Sequence, residues 1–450
     1  MTRMDAMEGD VLRDKDREDR PLAYANAGNG CGGAASRDID RVVILNDVST
    51  AKGGATDLAL LSARMIRRRG FPVTFISGGE TDHGELATSG VDLVAMGEAH
   101  ILDQGLRAAV SGIHNGAVAS FVAEWIRAND TPGTVYHVHG WSKILSPTLF
   151  RALAPVSGRM IVHAHDFFLA CPNGAYHDYQ AGEVCEREPL GLSCMRTHCD
   201  KRSYAQKLWR SARSLSLASS FPKQAAHRIL MLHEGMQPFL ERAGYPGSAL
   251  HTVRNPVRPF TSERVRSEAN VTFLFVGRLV TEKGVEAFLA AADALNLEAI
   301  VVGDGPLRQM LEQRHPSAKF TGWLAREDIA AMATKARALV MPTQYAEPFG
   351  LVAAEASFSG LPVILSDRAL LAADVDAAGI GFSYRGDDPT SLEQAMASFA
   401  ALSKAETKAM SLRAFARAGH IAQSPDAWCD ALLGHYREVL ATMPADGLRP

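Results

Sequence analysis

Long apolar runs are missing from this 450-residue chain. No uncharged stretch approaches the roughly 18 residues that a bilayer-spanning helix requires, which argues against an integral membrane protein. Cysteine is sparse, six residues in all, too few for a disulfide scaffold, and predicts a reducing, cytoplasmic home. Net charge is nearly absent: 47 Lys plus Arg against 50 Asp plus Glu give −3. A dedicated nucleic-acid binder carries a strong basic excess, so no nucleic-acid partner is expected. The opening MTRMDAMEGDVLRDKDREDRP has no apolar core, so it is not expected to act as a secretory signal. What is present, 47% hydrophobic and 22% charged residues, is ordinary globular composition at a length that suits two or three domains.

Residues 1–37 mix charge with Gly, Ala and Asn and show no periodicity, which predicts a disordered leader. From Arg41 onward, short β-branched runs alternate with helical patterns: RVVIL (41–45), PVTFIS (72–77), VDLVAM (91–96), TVYHVH (134–139) and RMIVHAH (159–165). Such alternation predicts a buried parallel sheet with helices on both faces. A polar, Pro-bearing stretch, NPVRPFTSERVRSEAN (255–270), suits an interdomain linker. A second series follows: VTFLFVG (271–277), EAIVVGDG (298–305), AKFTGW (318–323), ALVMPT (338–343) and LPVILSD (361–367). The expected α/β architecture is therefore two doubly wound domains, 38–256 and 257–424, with a cleft between them. The amphipathic segment within 425–450 is expected to pack back on the N-terminal domain.

Ligands of open α/β sheets sit outside the carboxyl ends of the strands, so the residues that follow each strand matter most. After the first strand, Gly53 and Gly54 stand beside a helix start, where backbone amides can approach a phosphate. After 271–277 comes GRLVTEKG, which places the cations Arg278 and Lys283 at the top of the second domain and suits a diphosphate. The plain alternative is a solvated charge cluster. Gly303 and Gly305 occupy the next strand–helix turn, but the pattern is not GxGxxG, which disfavours a dinucleotide-dependent dehydrogenase. In EPFGLVAAE, Glu347 and Glu355 are separated by seven residues. With a turn at Pro348 and Gly350 and a helix opening at Leu351, both carboxylates are expected to face the cleft. Exposed amides at Phe349 and Gly350 lie between them. A surface Glu followed by a helix-dipole Glu is the bland alternative.

The order GRLVTEKG, VVGDGPLR, FTGW, EPFGLVAAEA, SGLPVILSD and GIGFSYRGDDPTSL resembles the retaining glycosyltransferases of GT-B family 4, the glycosyl transferases group 1, over nearly all of 40–440. The resemblance implies two Rossmann-like domains, an N-terminal acceptor domain and a C-terminal nucleotide-sugar donor domain. It implies that Arg278 and Lys283 bind the donor diphosphate, that Glu347 contacts the sugar hydroxyls and that Glu355 holds the ribose. By the same resemblance, Phe349, Gly350 and Leu351 offer amides to the phosphates or sugar, and Gly303 lies in the donor site. Gly322 and Trp323 fall near the base, and Gly53 and Gly54 face the donor phosphates and the acceptor. His165, in MIVHAHDFF, matches the family's histidine beside the reacting centre. Three more strand-end histidines, His137, His139 and His163, compete with it. No DxD-type metal motif directly follows any of these strand runs, so no cofactor is expected to be required for transfer.

Two departures stand out. No glycine follows Asp367 in SDRALL, and His233 and Glu234 occupy RILMLHEGM where relatives often place Ser.

Four of the six cysteines, Cys171, Cys185, Cys194 and Cys199, cluster in an insertion spanning 166–202. A structural zinc site is one expectation and reduced loop thiols the other, since the final spacing is CxxxxC rather than CxxC. Residues 196–228 hold eight Lys or Arg and one acid, Asp200. This segment is expected either to seat the protein peripherally on anionic lipid or to form a solvated helix face. The expected function is transfer of a hexosyl unit from a UDP- or GDP-linked donor to a glycan, lipid-linked or small-molecule acceptor. A sugar-nucleotide hydrolase or epimerase and a non-catalytic binder are the alternatives.

Overall fold

The computed structural model describes residues 38–50, 54–79, 85–98 and 110–443. The leader at 1–37, Gly53 and the end of the 425–450 segment lie outside the described residues. Nine strands belong to the first half: β1 (Arg41–Asn46), β2 (Val73–Ser77), β3 (Asp92–Ala95), β4 (Thr134–Val138), β5 (Met160–Ala164), β6 (His177–Asp178), β7 (Glu183–Val184), β8 (Ile229–Met231) and β9 (Leu250–Thr252). Six follow: β10 (Thr272–Val276), β11 (Ala299–Val302), β12 (Lys319–Gly322), β13 (Ala336–Met341), β14 (Val363–Ser366) and β15 (Gly381–Tyr384).

The first sheet runs β3-β2-β1-β4-β5-β8-β9 and the second β12-β11-β10-β13-β14-β15. Every pairing within them is parallel. Strands β2, β4 and β5 are buried at every position, because helices cover both faces and leave no side of the sheet wet. In each sheet the chain reverses its winding beside the first strand, between β1 and β4 and again between β10 and β13. Those switch points open crevices at the strand carboxyl ends, and both crevices face one cleft. One apolar cluster contains residues of both sheets, among them Val43, Val138, Leu274 and Leu339.

The helix Pro425–Ala441 is started by Ser424, whose side chain accepts from the Ala427 N–H, with Pro425 in the first turn. Trp428, Leu432, Leu433, Tyr436 and Val439 recur at helical spacing and join Val42, Ile44, Leu58 and Ile66 in a second cluster. The chain thus ends its described course on the N-terminal sheet. Tyr436 Oη lies 2.7 Å from His137 Nδ1, and Arg69 pairs with Asp426 at 3.0 Å.

His233, the unexplained departure after β8, is an interdomain tie. Its Nε2 lies 2.7 Å from Asp374 Oδ2, and Arg254 reaches the same carboxylate at 3.0 Å. The SDRALL loop is likewise anchored without glycine: Glu347 N donates to Arg368 O at 3.2 Å, and Leu370 N donates to Glu347 O at 3.1 Å.

The basic segment 196–228 requires correction, because it does not form one solvated cationic face. On the helix Tyr204–Ser220, Lys207 is 1% exposed and Arg213 8% exposed. Arg210 pairs with Asp200 at 2.9 Å, and Arg228 pairs with Glu438. Tyr204, Leu208 and Leu215 are the large hydrophobic side chains this helix leaves exposed. Composition registered the charges, but helix phase turned several of them inward. Among the described residues, no helix is long and apolar enough to cross a membrane.

Candidate active site

A cavity of about 460 Å³ opens between the two strand-end crevices. From the N-terminal domain it is lined by Gly54, Ala55, His165 and Asp166, and from the C-terminal domain by Arg278, Lys283, Glu347 and the Phe349–Leu351 turn. Eight of the twelve catalytic and donor-site residues expected from the sequence therefore share one wall or the other: Gly54, His165, Arg278, Lys283, Glu347, Phe349, Gly350 and Leu351.

The C-terminal wall is shaped by glycine. Gly350 adopts φ +77° as the residue preceding the helix Leu351–Phe358, a left-handed turn that other residues adopt only at a cost. Ala353 N and Ala354 N donate to Gly350 O at 3.0 and 3.2 Å, and helix geometry leaves the Leu351 and Val352 amides ahead of them without such acceptors. Opposite them, Gly54 opens the described part of the helix Gly54–Arg68. A Cβ on Gly54 would lie 3.2 Å from Leu351 Cδ1. Two helix N-termini therefore converge on the cavity, an arrangement that favours negative charge.

Lys283 Nζ contacts Glu347 Oε2 at 2.5 Å and Tyr345 Oη at 3.0 Å, and sits 5.1 Å from the Tyr345 ring centroid. Arg278 is exposed and pairs with no carboxylate among the described residues. The wall thus carries one neutralised cation and one uncommitted cation beside exposed amides.

Four expected residues lie elsewhere. Gly53 lies outside the described residues. Gly303, at φ +136°, is a close-approach glycine: a Cβ there would lie 1.9 Å from the Gly277 carbonyl oxygen. It supports the Gly277–Arg278 turn from behind and does not line the cavity. Trp323 is 78% exposed and also stands outside the lining. Glu355 is the fourth: it is not among the residues that line the cavity with Glu347. One turn into its helix, it pairs with Arg326 at 2.6 Å, and burial raises its carboxyl above the ordinary range while Arg326 opposes the shift.

Behind His165 in the N-terminal wall stand three more histidines. In β4 and the residue after it, His137 and His139 share one face, and His163 and His165 share the same face of β5. His139 Nδ1 lies 2.9 Å from His165 Nε2, and the His163 and His165 rings stack with centroids 4.4 Å apart. Burial drives His137 and His165 down to about 3 and His139 and His163 well below the usual value. All four are neutral near pH 7. One ring nitrogen from each of His137, His139 and His163 falls within 4.8 Å of the others, and both nitrogens of His163 lack a partner among the described residues.

Two polar lining residues escaped the sequence reading. Asp166 borders the main cavity and also a smaller one of about 90 Å³ behind it, formed by the loops after β1, β4 and β5. Burial raises its carboxyl to about 6. Its only sequence signal was its place beside His165. Asn255, at the start of the linker, is 1% exposed, lines the main cavity, and its Oδ1 has no partner among the described residues.

Two parallel-sheet, Rossmann-like domains around such a cleft define a GT-B fold. The solved structure of sucrose-phosphate synthase from Thermosynechococcus elongatus superposes with a TM-score of 0.65 at 14% identity, covering 90% of this chain and 100% of that one. Anabaena HepE in complex with UDP-glucose gives 0.60 at 16% identity over 90% and 100%. Residues 259–416 match the family described as glycosyl transferases group 1. A GDP-mannose-dependent alpha-mannosyltransferase of Corynebacterium glutamicum is 30% identical over 167 residues, 37% of this chain and 40% of that protein. The chain thus spans less than half the length of that curated relative.

Proposed function

We propose that the cleft binds a nucleoside diphosphate sugar and that the protein transfers its hexosyl unit to an acceptor hydroxyl. The carrying observation is the grouping of Arg278, the Lys283–Glu347 pair and the Phe349–Leu351 turn on one cavity wall, opposite a second helix N-terminus. Related proteins support the donor class. The Corynebacterium relative is named for GDP-mannose, and HepE is titled as a UDP-glucose complex. Neither name assigns the base or the sugar used here.

In this reading the departing diphosphate develops charge on oxygen, which Arg278, Lys283 and the amides following Gly350 stabilise. Each fixed donor of this kind is worth about 3 kcal/mol of barrier. Glu347 fixes Lys283 and accepts from the sugar hydroxyls. The neutral His165 donates or accepts a hydrogen bond at the reacting centre without adding charge. Asp166 faces both cavities and orients the acceptor hydroxyl, which enters from the smaller one. Transfer proceeds without a catalytic metal and with retention of anomeric configuration, on the same-face route implied by the family resemblance, in which the departing phosphate oxygen takes the acceptor hydroxyl's proton as the new glycosidic bond forms. A glycan or a lipid-linked sugar fits the acceptor role equally well.

Turnover with purified UDP- and GDP-sugars and a mixed acceptor set tests the assignment. Lys283→Ala and Glu347→Ala should each lower kcat about 10²–10³-fold while the fold is kept. Unchanged turnover in both variants rejects the site.

A further inference from the structure

The insertion between β5 and the helix Tyr204–Ser220 has little regular structure: the antiparallel pair β6–β7 and the five-residue helix Leu192–Arg196. Its centre is nevertheless buried. Cys171, Cys185, Cys194 and Cys199 are 4–8% exposed, and all four are free of disulfide bonds.

Around the sulfurs stands a set of N–H donors. Lys207, 1% exposed, points Nζ at Cys194 Sγ and at Cys199 Sγ, 3.2 Å from each. Arg187 Nη1 lies 3.6 Å from Cys185 Sγ. Asn173 Nδ2 lies 3.7 Å from Cys199 Sγ, and its Oδ1 accepts from the Cys171 thiol at 3.2 Å. Lys207 pairs with no carboxylate among the described residues. A buried ammonium facing only neutral thiols carries a large desolvation cost, which thiolates would offset.

We propose that Cys171, Cys185, Cys194 and Cys199 hold a thiolate-ligated metal centre, with Lys207 and Arg187 as its outer hydrogen-bond donors. Four thiolates bring four negative charges, and either a zinc ion or a doubly charged four-iron cluster brings two positive ones. Lys207, which faces no carboxylate among the described residues, offsets one of the remaining two, while Arg187 is shared with the buried Asp178 at 3.3 Å and donates to Cys185 without adding net charge. Donors of this kind tune metal thiolates and are commonly worth 10–100-fold in metal affinity. Among the described residues, no three of the four sulfurs lie mutually within 4.8 Å. One zinc ion with bonds of about 2.3 Å in tetrahedral array needs sulfurs roughly 3.8 Å apart. Four cysteines also ligate a four-iron core, which is larger than one zinc ion.

The centre is structural, and its consequence reaches the donor site. The insertion carries Asn173, Asp200 and Lys201 to the wall of a cavity of about 470 Å³ that Arg278 and Glu282 close from the other side. Lys201 Nζ bridges the two Glu282 oxygens at 2.8 and 2.9 Å, next to Lys283. Holding the loop at its four cysteines therefore holds one edge of the cleft.

The test uses the full chain purified without oxygen, with metal content, acid-labile sulfide and the visible spectrum measured together. About one zinc per chain, or about four irons with matching sulfide and a broad visible band, supports the proposal and identifies the core. The Cys194→Ser/Cys199→Ser double variant should lose the metal, and Cys429→Ser, remote on the C-terminal helix, should keep it. Because the double variant may also lose its fold, Lys207→Met provides a second reading. It should be isolated with metal but release it to a chelator at least about 10-fold faster. Folded wild-type protein that contains no zinc or iron, or metal content unchanged in the double variant, overturns the assignment.

Discussion

The two walls of the cleft are built by opposite means. The C-terminal wall is backbone and charge: glycines at Gly303 and Gly350 let chain segments approach closely, and Lys283, Arg278 and Glu347 stand on the resulting turns. The N-terminal wall presents His165 and Asp166 beside the Gly54 helix start, and behind His165 stand three more buried, neutral histidines, of which His137 and His163 meet the helix Pro425–Ala441 at Tyr436 and Trp428. The first wall is suited to a diphosphate whatever the sugar. The second presents neutral hydrogen-bonding rings and one carboxylate, Asp166, which suits selection among hydroxyl-bearing acceptors. On the proposed function, the donor side is the one carried by short motifs and the acceptor side the one carried by long-range packing.

The contrast can be broken from the N-terminal side first. Trp428 is fully buried and lies 6.5 Å, centroid to centroid, from His163. Trp428→Ala should cost about 3–5 kcal/mol in denaturant unfolding monitored at the N-terminal domain. A loss below about 1 kcal/mol would mean that the histidine wall stands without its cover. On the opposite wall, Gly303→Ala forces a Cβ to 1.9 Å from the Gly277 oxygen. It should cost roughly 3 kcal/mol, in the range of strained-backbone and overpacking changes, and lower donor affinity by displacing Arg278. Retention of both full stability and donor affinity would show that the turn is not shaped by that approach.

A pH experiment sharpens the comparison. The Asp166 carboxyl is raised to about 6 by burial, so between the ordinary carboxylate value and 6 the folded chain holds a proton the unfolded chain has released. Stability should therefore fall as pH rises through that window. Activity should rise as pH increases through about 6, because the ionised carboxylate orients the acceptor. In Asp166→Asn both slopes should flatten, and a rate profile unchanged by the substitution counts against the role. The smallest effect belongs to the hinge between the walls. Asp374→Asn weakens the tie to His233 and Arg254 and should cost about 1 kcal/mol or less, with a several-fold rise in donor KM and little change in kcat.

Much of this was legible in sequence because it depends on local pattern. Parallel strands announce themselves as apolar β-branched runs, and the motifs GRLVTEKG and EPFGLVAAE put Arg278, Lys283 and Glu347 on the turns after β10 and β13, which are neighbours in the sheet. What was not legible depends on direction and distance. Glu355 was read with Glu347 because they share a segment, yet Arg326, 29 residues upstream, claims it. The basic segment read as a face until helix phase buried Lys207 and Arg213. His233 made no sense until Asp374, 141 residues away, came to meet it.

The central claim is that Lys283, with the amides after Gly350, makes the cleft a nucleotide-sugar site. The most direct measurement is the thermal stabilisation of the full chain by UDP- and GDP-sugars, in the wild type and in Lys283→Ala. A ligand present at 100 times its Kd adds about 2.7 kcal/mol to the stability of a protein that binds it only when folded. The prediction is a clear upward shift of Tm with one nucleotide series in the wild type, largely lost in the variant. No shift with either series, or an equal shift in both proteins, would contradict it.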